Sequence, residues 1–388
     1  MVKTGLEVLF QHRKSILAGK RIGLLVNPSS IDSRLRFSVD LFRSEPSWKL
    51  VALFGPEHGI RAEMQDQESC APFRDPSTGL PVFSLYGDRL MPSAEMLDGV
   101  DVVVFDIQDV GSRYYTFVHT LSFVMEACKE LRKEVVVLDR PNPLGGVEVE
   151  GPVLEKGYES FVGRFPVSIR HGMTVGELAL FFHQVFGLDC NLEVVEMESW
   201  RREYFFEDTK LPWVFPSPNM PTVDTAIVYP GMCLLEGTNI SEGRGTTRPF
   251  EIFGASWIEP ERLCKALAAF PLPGVQFRPV YFRPTFHKYQ NQLCGGAQIH
   301  VTNRFLFRPV KTALCVLSVL LTEFSGSFRW KDPPYEYVTD RLPIDILFGN
   351  AWVREDLEKG VAPDQLEGKW IAGTETFRKQ REKYFLYE

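Results

Sequence analysis

The 388-residue sequence has little of what nucleic-acid-binding, disulfide-bonded or membrane-spanning proteins need. Lysine and arginine number 43 against 50 aspartate and glutamate residues, and the net charge of −7 provides no basic surface for a polyanion or an anionic membrane. The seven cysteines are scattered without a CxxC pair, which predicts reduced core thiols rather than a disulfide frame or zinc site. The longest strongly apolar stretch, residues 312–324, is too short to span a bilayer. These absences favour a small neutral or anionic substrate in a local pocket.

Several common motifs are also missing. The first predicted strand is followed by VNPSSID instead of the G-x-G-x-x-G of dinucleotide-binding folds, and no Walker loop or G-x-S-x-G elbow occurs. We therefore predict no nicotinamide, flavin or other cofactor. The N-terminus also has no charged start followed by an apolar core and a cleavage site. On that basis we expect a cytoplasmic protein.

Short β-branched runs alternate with helical periods along the first 200 residues. The runs at 21–27, 49–55, 81–87, 101–109, 134–143 and 191–197 predict strands, and the spacing over 35–45, 114–131 and from about 174 predicts helices. Continuous apolar strands separated by helices are typical of a doubly wound α/β fold with a mostly parallel sheet. The segment 212–231, rich in proline and aromatic residues, is expected to wrap the surface. We place one domain at 1–255 and a smaller α/β domain at 256–388.

Polar residues follow the predicted strands where each strand ends. The carboxyl ends of parallel strands share one edge of the sheet, and ligands bind there in this architecture. We therefore expect one cleft to be lined by the side chains after the first, second, fourth and fifth of these strands, namely Asn27, Glu57, His58, Asp106, Gln108, Asp109, Asp139, Arg140 and Asn142.

The stretch FGPEHG (54–59) places a carboxyl in a loop between glycines. Desolvation beside apolar neighbours raises the pKa of such a group, which a general acid needs near neutral pH. On this interpretation Glu57 is a proton donor, and His58 tunes or orients it. The alternative is an ordinary turn whose glutamate caps the next helix.

Two further motifs combine acids with aromatic or basic residues. In FDIQDVGSRYYT (105–116), Asp106 and Asp109 could orient a sugar, bind a cation or satisfy each other within a polar loop. Arg113 beside Tyr114 suits a sugar face with an anionic group. In LDRPNPLGG (138–146), Asp139 and Arg140 could either pair with each other or contact the ligand.

The stretch EGTNISEGRGTTRPFE (236–251) concentrates charge among glycines that let a ligand approach the backbone. Glu236, Glu242 and Asn239 could contact a polar ligand. Arg244 and Arg248 could each hold a carboxylate in fork geometry. The alternative interpretation is a solvated glycine loop.

Five motifs taken in order (FGPEHG, FDIQDVGSRYYT, LDRPNPLGG, SPNMPT and EGTNISEGRGT) resemble those of the bacterial exo-β-N-acetylmuramidases of peptidoglycan turnover. The resemblance covers essentially the whole chain. It implies a Rossmann-like catalytic domain, a smaller C-terminal α/β domain and a site in the cleft between them. It also implies release of N-acetylmuramic acid from non-reducing ends, with the catalytic glutamate of the GPEHG motif falling on Glu57.

Glycoside hydrolysis generally uses one protonated and one ionised carboxyl. With Glu57 as the acid, the candidates for its partner are Asp106, Asp109 and Glu242, or the 2-acetamido group of the substrate. The lactyl carboxylate of muramic acid needs a cation, for which Arg113, Arg244 and Arg248 are candidates. Tyr114 and Tyr115 could stack on the sugar ring. Two other classes stay open: a non-catalytic muropeptide sensor, and a metal-dependent hydrolase using Asp106 and Asp109.

Overall fold

The computed structural model of the protein describes residues 1–61, 73–87 and 89–388. Its strands are β1 (Arg21–Val26), β2 (Lys49–Gly55), β3 (Phe73–Arg74), β4 (Pro81–Ser84), β5 (Val102–Asp106), β6 (Glu134–Leu138), β7 (Glu150–Val153), β8 (Ser168–Arg170), β9 (Asn191–Val195), β10 (Ile252–Ala255), β11 (Val275–Phe282) and β12 (Cys294–Val301). Its α-helices are α1 (Gly5–Val8), α2 (Ser38–Ser44), α3 (Phe117–Glu130), α4 (Val175–Val185), α5 (Val223–Met232), α6 (Pro260–Leu267), α7 (Pro309–Glu323), α8 (Pro343–Phe348), α9 (Trp352–Glu358) and α10 (Pro363–Arg381).

The large sheet has the order β3-β4-β2-β1-β5-β6-β9, and every neighbouring pair is parallel except β3 and β4. Without the short antiparallel edge β3, this is the 3-2-1-4-5-6 order of a Rossmann-type doubly wound sheet. Helices cover both faces. Leu24 and Val26 pack in the cluster that includes Leu6 and Phe42 of α1 and α2, whereas Leu25 faces the cluster that contains α3 and α4. The predicted α/β fold is confirmed.

A second, smaller sheet lies later in the chain, in the antiparallel order β10-β12-β11. Strand β10 ends just before the predicted domain division at 255/256, and β11 and β12 follow that division. The division at 255/256 stays a prediction. The C-terminal helix α10 packs against the N-terminal part of the chain, where Thr374 Oγ1 donates to the carbonyl of Gly151 across 3.2 Å.

The expectation that residues 212–231 wrap the surface is wrong for the second half of that segment. Residues from Val223 onward form α5, which begins where Thr222 Oγ1 accepts a hydrogen bond from Thr225 N. The helix packs tightly on α7, since a Cβ added at Gly231 would lie 2.0 Å from the carbonyl oxygen of Pro309. Burial of apolar residues against α7 outweighs the presence of Pro230 within the helix.

No helix in the described parts of the chain is long and apolar enough to cross a membrane. The six cysteines within the described ranges are free thiols, and five of them are buried. Cys70 lies outside those ranges.

Candidate active site

A pocket that is partly open to solvent lies beyond the carboxyl end of the large sheet. It is called the Glu57 pocket below. Glu57 and His58 reach it from the loop after β2, and residues 114–117 reach it from the loop before α3. Its remaining walls come from later segments, which contribute Ser217, Asn219, Glu236, Arg244, Tyr335 and Glu336 among others.

The turn after β2 explains the unusual sequence around Glu57. Gly59 N donates to Pro56 O across 3.0 Å, and His58 adopts a left-handed backbone with φ of 71°. A non-glycine residue in that region is uncommon and is found mostly where surrounding structure enforces it. The turn also passes close to the strand, since a Cβ at Gly55 would lie 3.1 Å from Ile60. The glycine and the tight turn together direct Glu57 inward.

Glu57 is buried, with 5% of its surface exposed, and a neighbouring hydroxyl fixes its carboxyl. Thr116 Oγ1 donates to Glu57 Oε2 across 2.8 Å. Burial and the charges of Glu57 and Glu336 raise the pKa of Tyr86 well above its usual range. Tyr86 is therefore a neutral phenol that senses the charges of two carboxyls.

Aromatic rings form one wall of the pocket. Tyr115 donates to Ser217 Oγ across 3.0 Å, and Tyr114 donates to the carbonyl of Pro230. Both rings meet Tyr229 edge to face, with centroids 5.7 Å apart, and Tyr229 packs in the same way on Phe250. The hydroxyl anchors and edge contacts fix the ring positions, which suits recognition of a sugar face.

An arginine–glutamate pair also lines the pocket. Glu236 lies on the 3₁₀-helix Cys233–Gly237, where Arg244 Nη2 donates to its Oε1 across 2.6 Å and Tyr335 OH to its Oε2 across 2.7 Å. Burial and the charge of Glu236 raise the pKa of Tyr335 far above its usual range, so this phenol remains a donor. Arg244 also lies over the ring of Phe250 at 5.1 Å.

Glu242, a predicted catalytic partner, does not line the Glu57 pocket. Its buried carboxylate accepts from Lys288 Nζ at 2.9 Å and lies 3.3 Å from His287 Nδ1 and 3.4 Å from Arg244 Nε. Although burial alone would raise it, these neighbours hold the pKa of Glu242 well below its usual range. The structure makes Glu242 an ionised support for Arg244.

The polar residues at the ends of β1 and β5 are also turned away from the pocket. Asp106 accepts from Arg140 Nε at 2.6 Å and from Ser38 Oγ, and Asn27 Nδ2 donates to Pro216 O at 2.9 Å. Phe206 and residues 211–214 line a second, smaller pocket together with Gln108 and Arg140, at the position where a doubly wound sheet usually binds its ligand.

Two more strand-end acids are held by internal hydrogen bonds. Asp109 Oδ2 accepts from Gly111 N at 2.7 Å and lies 3.4 Å from His171 Nε2. Asp139 accepts from four donors, namely Thr174 Oγ1, Tyr387 OH, Gly176 N and Arg140 N. Neither acid lines the Glu57 pocket, and both hold loops in place.

Three predicted substrate contacts are engaged elsewhere. The guanidinium of Arg113 donates to the carbonyls of Pro152, Val167, Leu347 and Phe348 at 2.8–2.9 Å, which ties α8 to the N-terminal part of the chain. Asn239 accepts from Arg329 N and donates to Ser327 O. Arg248 pairs with Glu251 and is 45% exposed. The predicted residues that the structure does bring together are Glu57, His58, Tyr114, Tyr115, Glu236 and Arg244.

Among the residues that the structure describes, no group of three or more His, Cys, Asp or Glu side chains is arranged to hold a metal ion. Several pocket residues received no role from the sequence alone: Thr116, Asn219, Tyr229, Tyr335 and Glu336. The SPNMPT motif pointed to residues 217–222 but not to their part in the site. No sequence signal marked Tyr335 or Glu336.

A buried glutamate at the carboxyl end of a parallel sheet shares one pocket with tyrosines and an arginine–carboxylate pair, an arrangement that suits a glycosidase on an α/β fold. A family model described as exo-β-N-acetylmuramidase NamZ, N-terminal, matches residues 22–224, and its C-terminal counterpart matches residues 227–387. The chain therefore belongs to the NamZ family of exo-β-N-acetylmuramidases. This confirms the resemblance and the predicted glycosidase class.

Individual relatives agree with this assignment. Peptidoglycan β-N-acetylmuramidase NamZ of Bacillus subtilis (strain 168) is 46% identical over 386 residues, which covers 100% of this chain and 91% of that protein. Crystal structures of two DUF1343 family proteins from Bacteroides fragilis NCTC 9343 share the fold. Their TM-scores are 0.90 and 0.78, at 36% and 29% identity, with 100% of this chain and 99% of each of theirs covered.

Proposed function

We propose that this protein releases N-acetylmuramic acid from the non-reducing end of peptidoglycan fragments such as MurNAc-GlcNAc, with Glu57 as the general acid. Family membership supports the reaction class and the peptidoglycan substrate. The observation that carries the residue assignment is the position of Glu57. It is a buried carboxyl fixed by Thr116 at the edge of the sheet where ligands bind, in a pocket with a rigid aromatic wall.

In the proposed reaction the Glu57 carboxyl gives its proton to the glycosidic oxygen as the bond to the anomeric carbon breaks. The leaving sugar departs as a neutral alcohol, and positive charge develops on the muramyl ring. The aromatic wall that includes Tyr114 and Tyr115 orients that ring. Thr116 holds the Glu57 carboxyl in one orientation, so no rotation is needed before proton transfer.

The lactyl carboxylate that distinguishes muramic acid from glucosamine needs a positively charged partner. Of the arginines proposed for this role, Arg244 lines the pocket, while Arg113 and Arg248 are engaged elsewhere. Glu236 and Glu242 hold Arg244 on two sides and fix the direction of its guanidinium. We therefore assign recognition of the lactyl group to Arg244.

The test is Glu57→Gln, which keeps the shape of the side chain and removes its acidity. We expect turnover of MurNAc-GlcNAc to fall by roughly 10²–10⁴-fold, the usual contribution of a positioned acid, with an unchanged melting temperature. Glu375→Gln, which alters a half-exposed acid on α10, serves as the matched control and should retain full activity. Near-normal turnover by Glu57→Gln would remove Glu57 from the proposal.

A further inference from the structure

A tight turn at Tyr335–Val338 carries two consecutive left-handed residues that are not glycine. Tyr335 and Val338 exchange both backbone hydrogen bonds at 2.9 Å, and between them Glu336 and Tyr337 have φ of 44° and 69°. Two-residue turns with positive φ at both central positions usually take Asn-Gly or a similar pair. Such strain persists where the surroundings over-determine the backbone, and it is common at functional sites.

The two tyrosines that flank Glu336 anchor this turn on opposite sides. Tyr335 OH donates to Glu236 Oε2 at 2.7 Å, on the arginine side of the Glu57 pocket. Tyr337 OH accepts from Gly87 N at 3.1 Å, and its ring meets Tyr86 and Phe161 with centroids 6.0 and 5.8 Å away. The turn is therefore attached to the C-terminal part of the chain through one residue and to the loop after β4 through another.

Between these anchors Glu336 lines the same pocket as Glu57. The two carboxyls also lie within electrostatic reach of the same phenols. Next to burial, the charges of both contribute to raising the pKa of Tyr86 and of Tyr337. Among the described residues Glu236 also lines the pocket, where it accepts hydrogen bonds from Arg244 and Tyr335.

We propose that Glu336 is the second catalytic carboxyl of this site. The inference rests on the proposed function, in which Glu57 protonates the leaving oxygen. The Glu336 carboxylate takes a proton from the attacking water while the water oxygen bonds to the anomeric carbon. The electrons of the broken glycosidic bond go to the leaving oxygen, which receives the proton of Glu57. One water is consumed, and solvent exchange returns both carboxyls to their starting states.

The strained backbone then has a function. It places a carboxylate from a late segment of the chain in the same pocket as the acid that follows β2, and the tyrosine anchors keep it there. The partner of Glu57 is thus none of the acids at the other strand ends. It belongs to the C-terminal part of the chain.

The experiment compares Glu336→Gln with Glu57→Gln on two substrates, MurNAc-GlcNAc and an aryl β-N-acetylmuramide with a good leaving group. An acid is needed less when the leaving group departs readily, whereas a base is needed for water in both cases. We expect Glu336→Gln to lose roughly 10²–10⁴-fold on both substrates. We expect Glu57→Gln to lose clearly less on the aryl substrate than on the disaccharide. Asp340→Asn, a 70% exposed acid four residues on, is the matched control and should behave as wild type.

Glu336→Gly provides a second variant that tolerates the positive φ and leaves space for a small nucleophile. Sodium azide needs no base, so it should restore turnover of the aryl substrate by this variant and form the glycosyl azide. It should not restore hydrolysis of the disaccharide by Glu57→Gln. Activity of Glu336→Gln within threefold of wild type, or no rescue of Glu336→Gly by azide, would overturn the role of Glu336. If Glu57→Gln also keeps its activity on the disaccharide, the assignment of Glu57 as the acid fails, whereas a wild-type protein that does not hydrolyse the disaccharide would overturn the proposed function itself.

Discussion

Thr116 donates its hydroxyl to Glu57 Oε2 across 2.8 Å, although it stands at the position that precedes the first turn of α3. A threonine at a helix N-cap ordinarily accepts from a backbone N–H of the first turn. Here the side chain makes no capping hydrogen bond and holds the carboxyl instead. The helix start is thereby coupled to the orientation of the proposed acid.

Replacing Thr116 by valine should therefore affect catalysis more than folding. The substitution keeps the β-branched shape and removes only the donor to Glu57. We expect kcat to fall about fivefold with little change in KM, because one neutral hydrogen bond contributes about 1 kcal/mol. Thr116→Ser, which keeps the hydroxyl, should restore most of the activity. A parallel rise in KM with unchanged kcat would show that Thr116 contacts substrate rather than positioning Glu57.

Arg244 offers a test of substrate selection. Replacing it by glutamine should reduce kcat/KM on a β-N-acetylmuramide about 10–100-fold more than on the matching glucosaminide, because a charge-assisted hydrogen bond contributes about 1.5–3 kcal/mol. Arg248→Gln, outside the pocket, should leave this ratio unchanged. Equal losses on both substrates would mean that Arg244 acts only by holding Glu236.

The sequence predicts the sheet well because its strands are continuous apolar runs. β2 occupies Lys49–Gly55, as the pattern indicates, and the strand-end rule then places Glu57 at the correct edge. Asp106 and Asp139 satisfy the same rule, yet both are held by internal hydrogen bonds. Their partners, Ser38 and Tyr387, are far away in sequence, so the pattern defines the edge of the sheet but not where a side chain points.

The pocket residues Tyr335 and Glu336 could not be predicted from the sequence, for a different reason. Glu336 is positioned by a turn in which Glu336 and Tyr337 both have a left-handed backbone. Neither residue is a glycine or asparagine, the types that usually indicate such a turn in a sequence. The turn forms because Tyr335 and Tyr337 find partners in segments that only the folded chain brings together. Local propensity could not reveal it, because tertiary contacts decide the backbone conformation here.

Lys288 should be important for the stability of the loop that carries Arg244. Its ammonium donates to the carbonyls of Leu235 and Ile240 and to the buried carboxylate of Glu242. Replacement by methionine removes the main cation beside Glu242. We expect the free energy of unfolding at pH 7.5 to fall by about 3–5 kcal/mol, as when one partner of a buried ion pair is lost. Chemical denaturation would measure this change, and Lys359→Met, an exposed lysine, should change it by less than about 1 kcal/mol.

The loss of unfolding free energy in Lys288→Met should depend on pH in one direction. The folded state holds the pKa of Glu242 below its unfolded value, so this stabilisation is present above the unfolded pKa and is lost as the pH falls. Lys288 contributes to that lowering. The deficit of the variant should therefore shrink when unfolding is measured near pH 4. A deficit that stays constant between pH 7.5 and pH 4 would show that Lys288 acts through the carbonyls alone.

Tyr387 connects the C-terminal segment to Asp139, the buried acid that directly follows β6. Its hydroxyl donates to Asp139 Oδ2 at 2.6 Å and accepts from Met197 N at 2.9 Å, while its ring packs on Trp200. Tyr387→Phe keeps the ring and leaves buried polar groups without this partner. We expect a loss of about 1–3 kcal/mol in the free energy of unfolding. Tyr384→Phe, whose ring packs on Phe181 in the same C-terminal segment, should change it by less than about 0.5 kcal/mol.

The loss in Tyr387→Phe should grow with pH. Burial raises the pKa of Asp139 to about 7, against the lowering effect of the hydrogen bond from Tyr387. Asp139 therefore contributes stability that is complete below its unfolded pKa and is lost as the pH rises through about 7. Because the tyrosine hydroxyl favours the ionised carboxyl, removing it raises the pKa of Asp139 further. Urea unfolding at pH 5 and pH 8 should show the larger deficit at pH 8, and an equal deficit at both values would contradict the coupling of Tyr387 to the ionisation of Asp139.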